Sequence, residues 1–196
     1  MWAVSPPITE PRAIESLMLA LGKALHLACE FERKCQYVLR VFNIDEMFRT
    51  SGDAKATFAA AAAAKDRLLA QTIVSMKNTS YVTADEVEIL TRARLARNHI
   101  VHECGKLGPI NQLREEDVAK AFDGLRPAVI DLATGDCVVS VWNLAIQEKI
   151  DAPEWMTQNY EARVLNWVFG DPFSGPSSTD EWILAQLSDR PLPRGN

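Results

Sequence analysis

Hydrophobic residues recur along most of this chain at the spacing of α-helices. Between Pro11 and Phe42 they return every three, four or seven positions, which predicts one long amphipathic helix. The apolar positions of this stripe are Ile14, Met18, Leu21, Leu25, Ala28, Cys35, Leu39 and Phe42. A loop at Gly52 precedes a second predicted helix over Ala54–Met76, whose centre is a run of six alanines. A third helix begins at the capping box of Thr83 and Glu86 and is predicted to reach about Cys104.

Residues that break helices punctuate the second half of the chain. The stretch "KLGPINQLREED" predicts a loop before a fourth helix over about Glu115–Leu132, which Pro127 is expected to kink or divide. The "TGD" at 134–136 predicts a further break, followed by a fifth helix over Cys137–Ile150. No strong alternation of period two is present, so the sequence predicts an all-α bundle of about five helices.

The composition changes after the fifth predicted helix. Three of the five tryptophans lie beyond Pro153, together with a Pro/Gly/Ser-rich linker. One helix is predicted over Glu154–Phe169, and a capping box at Ser178–Glu181 predicts a short second one. We therefore predict a helical domain over residues 1–150 and a Trp-rich helical appendage with a tail over residues 151–196.

Charge and cysteine content narrow the possible functions. The formal net charge of -5 excludes a generally basic nucleic-acid-binding surface, although screening over roughly 10 Å leaves room for a local basic site. The four cysteines form no C-x-x-C pair, which favours buried thiols in a reducing compartment. The N-terminus does not resemble a signal peptide, and no apolar run looks long enough to cross a bilayer. The expectation is a cytoplasmic protein that does not engage a membrane.

The third predicted helix carries the unusual chemistry. On a helical wheel its core arc contains Ile89, Leu90, Ala93, Ile100, Val101 and Cys104. The opposite side carries two pairs at i, i+4, Glu88–Arg92 and His99–Glu103, which is typical of a solvated face. A weak His99-x-x-His102 spacing is the nearest approach to a metal-ligand pattern, so no metal site and no cofactor are predicted.

Arg97 is the exception on this helix, because the wheel places it inside the apolar arc. A guanidinium cannot lose its proton in a protein, so a buried arginine needs an anion. Glu32 lies in the middle of the apolar stripe of the first helix, and an Arg97–Glu32 ion pair is therefore predicted. Arg94, Asn98 and His102 follow each other at i, i+4, i+8 and form a polar stripe along the edge of the apolar face.

The segment "RNHIVH", from Arg97 to His102, resembles the R-x(4–6)-H motif of the HEPN superfamily. The helical layout over about residues 11–150 is also similar to that of HEPN domains. The resemblance implies an all-α, usually dimeric fold. Many members are metal-independent endoribonucleases of toxin–antitoxin, phage-defence or RNA-processing systems, and others are scaffolds without catalytic activity. Cys104 stands where one toxin subgroup carries a tyrosine, so regulation through that tyrosine is not implied.

The resemblance implies roles for particular residues. His102 would act as general acid and base, Arg97 would stabilise the phosphate, and Asn98 would orient His102 or the phosphate. Arg94 would contact the RNA substrate, and Glu32 would support the site. Arg97 and His102 are about 140° apart on one helix, so a homodimer is expected to complete the site. A cognate antitoxin or regulatory protein is the further partner implied. The alternative is a non-catalytic HEPN interaction module in which the Arg97–Glu32 pair is structural.

Overall fold

The structure is a computed structural model, and it describes residues 11–53, 55–57, 59, 68–102, 106 and 115–170. Within these ranges the backbone is mostly helical and contains no strand, so the predicted all-α class is confirmed. The helices are α1 (Pro11–Ser51), α2 (Leu69–Lys77), α3 (Ala84–His102), α4 (Glu115–Glu148), α5 (Glu154–Gln158) and α6 (Tyr160–Phe169). Residues 60–67, which include most of the alanine run, lie outside the described residues, as do Cys104 and the capping box predicted at Ser178–Glu181.

Helix α4 forms the centre of the fold and packs against α1, α3 and α6. The largest fully buried side chains come from all of these helices and from α2. They include Leu17, Phe31, Val38, Met76, Leu90, Leu125, Val129, Leu132, Val139 and Val168. Burial of each such side chain stabilises the fold by roughly 1.5 to 3 kcal/mol relative to exposure, so this shared core fixes how α1 and α3 meet.

Helix α1 is longer than its apolar stripe predicted. It continues from Phe42, its last buried side chain among those described, to Ser51. Gly52 then ends the helix with a φ of 67°, which a glycine adopts without steric cost. The Asp53 carboxylate accepts a hydrogen bond from the Ala56 backbone N–H at 3.0 Å, so Asp53 caps the following segment.

The core face of α1 agrees only in part with the predicted stripe. The predicted residues that are buried are Ile14, Ala28, Cys35, Leu39 and Phe42. Met18 and Leu25 were placed in the same stripe, but they are 38% and 45% exposed, whereas Ala24 and Phe31 are buried. Cys29 lies on the exposed side, so the prediction that the thiols are buried is wrong for this cysteine. A wheel drawn from hydrophobicity alone cannot separate a core stripe from an adjacent apolar surface stripe.

The second helix is not continuous over its predicted length. Leu68 has φ and ψ angles of -59° and 145°, which are extended, and α2 begins after it at Leu69. The side chains of Leu69, Ile73 and Met76 are buried in the core, whereas Leu68 is 72% exposed. The extended backbone at Leu68 therefore separates α2 from the segment before it.

The break predicted at "TGD" does not occur, because α4 runs without interruption from Glu115 to Glu148 and contains Pro127. Pro127 is exposed, and it has no backbone N–H to donate to the carbonyl of Asp123 four residues earlier. Gly135 is buried, and a Cβ built on it would lie 2.3 Å from the Cβ of Ala93 on α3. This glycine therefore allows two helices to approach closely, which explains its presence without a turn.

Substitution of Gly135 by alanine is expected to destabilise the fold by about 1 to 3 kcal/mol, because the added methyl would force α3 and α4 apart. Chemical denaturation monitored by circular dichroism would measure the loss. Gly124 is the matched control, because it lies on the same helix with no atom within 4 Å of a built Cβ. Gly124→Ala should leave stability unchanged or raise it slightly, since alanine is the better helix former. Equal effects of the two substitutions would contradict the packing argument.

Because α4 is continuous, its length must be compared with the thickness of a bilayer. The helix over Glu116–Glu148 is long and apolar enough to cross a bilayer by length and composition alone, contrary to the expectation from the interrupted pattern. Its apolar side chains Leu125, Val129, Leu132 and Val139 are buried against other helices. One such helix is weak support for a membrane span, because the core helix of a soluble protein has the same properties.

The C-terminal segment begins with two helices where one was predicted. Helix α5 ends at Gln158, and Asn159 forms a turn before α6. Val168 of α6 is buried in the same core as residues of α1 and α4. The domain boundary at residue 150 stays a prediction, but α6 contributes directly to the central packing.

Candidate functional site

The ion pair predicted between Arg97 and Glu32 is present. Arg97 Nη2 donates to Glu32 Oε2 across the contact between α3 and α1. The two side chains are 21% and 22% exposed, so the pair lies at the margin of the core and reaches solvent. Arg97 Nη1 also donates to Asn98 Oδ1 at 3.2 Å, so the guanidinium is held at two points.

The packing of α3 explains why Arg97 occupies this position. The buried side of α3 consists of Leu90, Ala93, Ala96 and Ile100, and Arg97 lies beside this stripe. Its Nε atom is buried without a hydrogen-bond partner among the described residues. An unsatisfied buried donor costs about 1 to 3 kcal/mol, so the charge pair with Glu32 must offset this cost as well as part of the desolvation.

The other residues of the predicted site are not joined to this pair. His102 is exposed at the last described position of α3, and Arg94 is half-buried on the same helix. Among the residues described, neither makes a hydrogen bond or ion pair. Asn98 was expected to orient His102 or the phosphate, but its Oδ1 holds Arg97 instead. One chain thus brings together Arg97, Asn98 and Glu32 and leaves His102 apart.

The face predicted to be solvated is solvated. Arg92 Nη1 lies 3.1 Å from Glu88 Oε1, and His99 is exposed. Glu103, the predicted partner of His99, lies outside the described residues. Leu95, which was not among the predicted site residues, is 55% exposed and lies one heptad before His102. An exposed leucine on a polar stripe is the sort of side chain that a second subunit could cover.

Substitution of Glu32 by glutamine is expected to lower the free energy of unfolding by about 2 kcal/mol, because a charge-assisted hydrogen bond to Arg97 is lost at a position that is largely shielded. Urea unfolding of the wild type and the variant would measure this difference. Glu30→Gln is the control, since Glu30 also pairs with an arginine of α1, Arg33, but at the surface. A Glu32→Gln protein as stable as the wild type would show that the pair makes no net contribution.

A second polar cluster was missed by the sequence analysis. Asp136 of α4 is 1% exposed and accepts hydrogen bonds from Lys34 Nζ at 2.9 and 3.0 Å. Tyr160 of α6 also donates its hydroxyl proton to this carboxylate. Ser140 Oγ lies 2.9 Å from Lys34 Nζ and completes the cluster. The network connects α1, α4 and α6, and every polar group in it has a partner.

The sequence did carry a signal for this cluster. Asp136 was assigned to a loop because it follows Gly135, whereas an aspartate inside a long apolar helix requires a partner. Lys34 lies directly beside Cys35 of the buried face and could have been recognised as that partner. The mistaken break in α4 therefore hid the ion pair.

Burial and negative charge change the acidity of two groups near this cluster. Burial raises the pKa of the Cys35 thiol, and the carboxylates of Asp136 and Glu32 raise it further. Burial also raises the pKa of the Tyr160 hydroxyl, with a further contribution from Asp136. Both groups are therefore neutral in the folded chain at ordinary pH, and neither is a nucleophile.

Stability is expected to decrease at alkaline pH for the same reason. An unfolded cysteine or tyrosine releases its proton near its ordinary pKa of 9.0 or 10.0, whereas folded Cys35 and Tyr160 retain theirs. The folded state then binds more protons, so stability present below pH 9.0 is lost as the pH rises. Urea unfolding at about pH 8 and about pH 10 would test this. In Cys35→Ala the decrease should be smaller, and an equal decrease would contradict the assignment to this thiol.

No protein-family model, curated protein or solved structure matches this chain. The resemblance to the HEPN superfamily therefore rests on the Arg97–His102 motif and on the helical layout. Within the described ranges, no three His, Cys, Asp or Glu side chains are grouped so that they could hold a metal ion.

Proposed function

We propose that this protein is a HEPN-type endoribonuclease that cleaves RNA without a metal ion. The observation that carries the proposal is the Arg97 guanidinium, which Glu32 and Asn98 fix at the margin of the core, five residues before an exposed His102. Fixing an arginine fork in advance lowers the entropy lost when it binds a phosphate. A histidine at the surface is accessible to a substrate hydroxyl.

The proposed chemistry assigns one task to each residue. His102 would remove the proton of the RNA 2′-hydroxyl, which then attacks the neighbouring phosphorus to form the 2′,3′-cyclic phosphate. The bond from phosphorus to the 5′-oxygen breaks, and the protonated His102 would return its proton to this leaving oxygen. Arg97 would stabilise the negative charge that develops on the phosphate oxygens. Arg94 would contact the RNA backbone from the half-buried edge of the same helix.

A homodimer would complete the site. Arg97 and His102 are separated by about 140° around α3, so one chain presents them in different directions. The exposed Leu95 lies on the same side of α3 as His102 and gives a second copy an apolar contact. A two-fold axis beside α3 would place His102 of each chain near the motif of the other. A cytoplasmic toxin–antitoxin or phage-defence role, with an antitoxin as partner, follows from the family resemblance alone.

The test of this proposal is an RNA cleavage assay with the purified protein. We expect cleavage of single-stranded or looped RNA to continue in EDTA and to leave 2′,3′-cyclic phosphate ends, because the attacking group is the RNA's own hydroxyl. Cleavage that requires an added metal would overturn the mechanism. Sedimentation of the same sample should show a dimer at micromolar concentration, and a monomer at that concentration would contradict the composite site.

A non-catalytic HEPN interaction module is the second candidate, and the engagement of Arg97 favours it. Glu32 and Asn98 already occupy the guanidinium, and its Nε is buried without a partner among the described residues. In this second candidate the arginine would only join α1 and α3. This candidate predicts that the wild type cleaves no member of a broad RNA panel, whereas the catalytic proposal predicts cleavage.

A further inference from the structure

A groove of about 380 Å³ lies between α1 and α6. Its apolar lining comes from Leu27 of α1 and from Val164 and Trp167 of α6. Ligand sites in proteins begin at roughly 300 Å³, so this groove is large enough to receive a large side chain. Among the described residues, none that lines the groove belongs to α3, so the groove is separate from the Arg97–His102 motif.

The charges around the groove balance one another. Among the described residues that line it are two carboxylates, Glu30 and Asp136, and two cations, Lys34 and Arg163. Asp136 accepts hydrogen bonds from Lys34 Nζ at 2.9 and 3.0 Å, and Glu30 is bound by Arg33 at 2.6 Å. The lining therefore has no excess charge that would attract an ion of either sign. Its apolar surface decides what binds there.

One end of the groove leaves apolar surface exposed. Trp167 is 43% exposed, although its neighbour Val168 is buried in the core. The ring of His26 on α1 lies edge-on to the Trp167 indole, with 6.1 Å between the ring centroids. Leu19 is 39% exposed and lies seven residues before His26, which is two turns away on the same side of α1. Grouped apolar surface of this kind is typical of a contact site.

The chain leaves α6 at this same end of the groove. Tyr160, at the start of α6, donates to Asp136, which also holds Lys34. Near the end of α6, Lys23 Nζ donates to the Trp167 backbone carbonyl at 2.6 Å. Helix α6 is therefore antiparallel to α1, and its last residues lie beside the exposed apolar surface.

Gly170 fixes the point where the chain turns away from α6. Its backbone N–H donates to the Asn166 carbonyl at 2.7 Å, and its φ and ψ angles of -68° and 151° are extended. A Cβ built on Gly170 would lie 2.2 Å from the same carbonyl oxygen, so this close turn requires a glycine. The residues that follow therefore start beside Trp167 and Leu19.

The chain beyond Gly170 carries apolar side chains of its own. A short helix is predicted to begin at the capping box Ser178–Glu181. Its large apolar residues are Trp182, Ile183, Leu184 and Leu187. Trp182 follows Gly170 by twelve residues, and an extended chain of this length spans up to about 40 Å. The α1 wall from Lys23 to Lys34 is only about 16 Å long, so this segment can reach every part of the groove.

We propose that the C-terminal segment 178–187 of the same chain binds in this groove, with Trp182 against Trp167 and Leu19. A tryptophan buries about 150 to 250 Å² and is a common anchor at contact sites, and the balanced charges of the lining suit its uncharged ring. A tethered segment has an effective concentration on the order of millimolar, so a contact too weak for separate molecules is enough here. The proposal does not rest on the proposed ribonuclease function.

Hydroxyl-radical footprinting of the full chain, read by mass spectrometry, tests the proposal through the oxidation rate of Trp167. In Trp182→Ala this rate should rise several-fold over the wild type, because the side chain that covers Trp167 is lost. Trp2→Ala is the matched control, since it removes a tryptophan from the other end of the chain and should leave the rate unchanged. An unchanged rate in Trp182→Ala, or a rise in Trp2→Ala alone, would overturn the proposal.

The reciprocal experiment follows the oxidation of Trp182. Leu19→Asp places a charge on the apolar surface beside Trp167 and should raise the oxidation rate of Trp182 several-fold. Leu95→Asp is the control, because Leu95 is also an exposed leucine but lies on α3, away from the groove. Circular dichroism and thermal melting of each variant would show that the fold is kept. Equal rates in the two aspartate variants would contradict docking at Leu19.

Dilution separates docking within one chain from docking onto a second copy. Contact within a chain does not depend on protein concentration, so the oxidation rates of Trp167 and Trp182 should stay constant over a roughly 100-fold dilution. Sedimentation at each concentration would give the oligomeric state. Oxidation rates that rise on dilution, together with a loss of dimer, would place the segment on another copy and overturn the proposal.

Discussion

His102→Ala is expected to lower the rate of RNA cleavage by at least about 100-fold, because the variant loses the group proposed to move the proton of the 2′-hydroxyl. His102 is exposed and has no partner among the described residues, so its loss should leave the stability of the fold unchanged. Cleavage of a labelled RNA under single-turnover conditions, together with thermal melting, would measure both effects. A loss of activity without a loss of stability is the signature of a catalytic residue.

His99→Ala is the matched control for this experiment. His99 is three residues away on the same helix and is also exposed. The spacings Arg92-x(6)-His99 and Arg94-x(4)-His99 also fit the R-x(4–6)-H motif, so His99 is the alternative histidine. Most activity should remain in this variant. If cleavage were lost in His99→Ala and kept in His102→Ala, the motif would belong to the other histidine.

Asp136→Ala is expected to lower the free energy of unfolding by about 3 to 5 kcal/mol, because it leaves the Lys34 ammonium and the Tyr160 hydroxyl without their acceptor in a largely buried site. The loss is a large part of the roughly 5 to 15 kcal/mol that stabilises a typical domain. Urea unfolding would measure it. Asp136→Asn, which keeps the shape and one acceptor, offers a milder variant if the alanine protein does not fold.

A double-mutant cycle separates the ion pair from simple packing. Lys34→Met combined with Asp136→Leu removes both charges, so the double variant should be less destabilised than the sum of the single changes. The surface pair of Glu88 and Arg92 is the control, and Glu88→Ala should cost under about 1 kcal/mol. Additive effects of Lys34→Met and Asp136→Leu would show that the two groups do not act as a pair.

The sequence predicted those features that depend on local chemistry. The capping box is present, with Thr83 N–H donating to Glu86 Oε2 at 2.8 Å and Glu86 N–H donating to Thr83 Oγ1 at 3.3 Å. The Arg97–Glu32 pair was also predicted, because two misplaced charges on amphipathic helices leave few other solutions. Both inferences needed only helical periodicity and the cost of burying an ionised group.

Features that depend on neighbouring elements were not predicted. Gly135 looked like a helix break because its role, the close approach of Ala93, is visible only once α3 and α4 are packed together. The exposure of Leu25 and Cys29 depends in the same way on which side of α1 the other helices cover. The Lys34–Asp136 pair was not predicted, because the break assigned at Gly135 placed Asp136 in a loop. The HEPN family and its chemistry are proposals, because they depend on a short motif within a single helix and on the helical layout.

The extension of α1 beyond Phe42 gives this helix two parts that differ in local stability. With 41 residues, α1 is about 60 Å long, but the core covers it only as far as Phe42. The turn at Tyr81 still binds Asp45, and beyond that point the side chains described are exposed. Fraying from Ser51 back to Asp45 would break backbone hydrogen bonds without exposing any buried side chain. Amide protons near Phe31 can therefore exchange with solvent only when the whole core opens, whereas those of the last turns exchange through local opening.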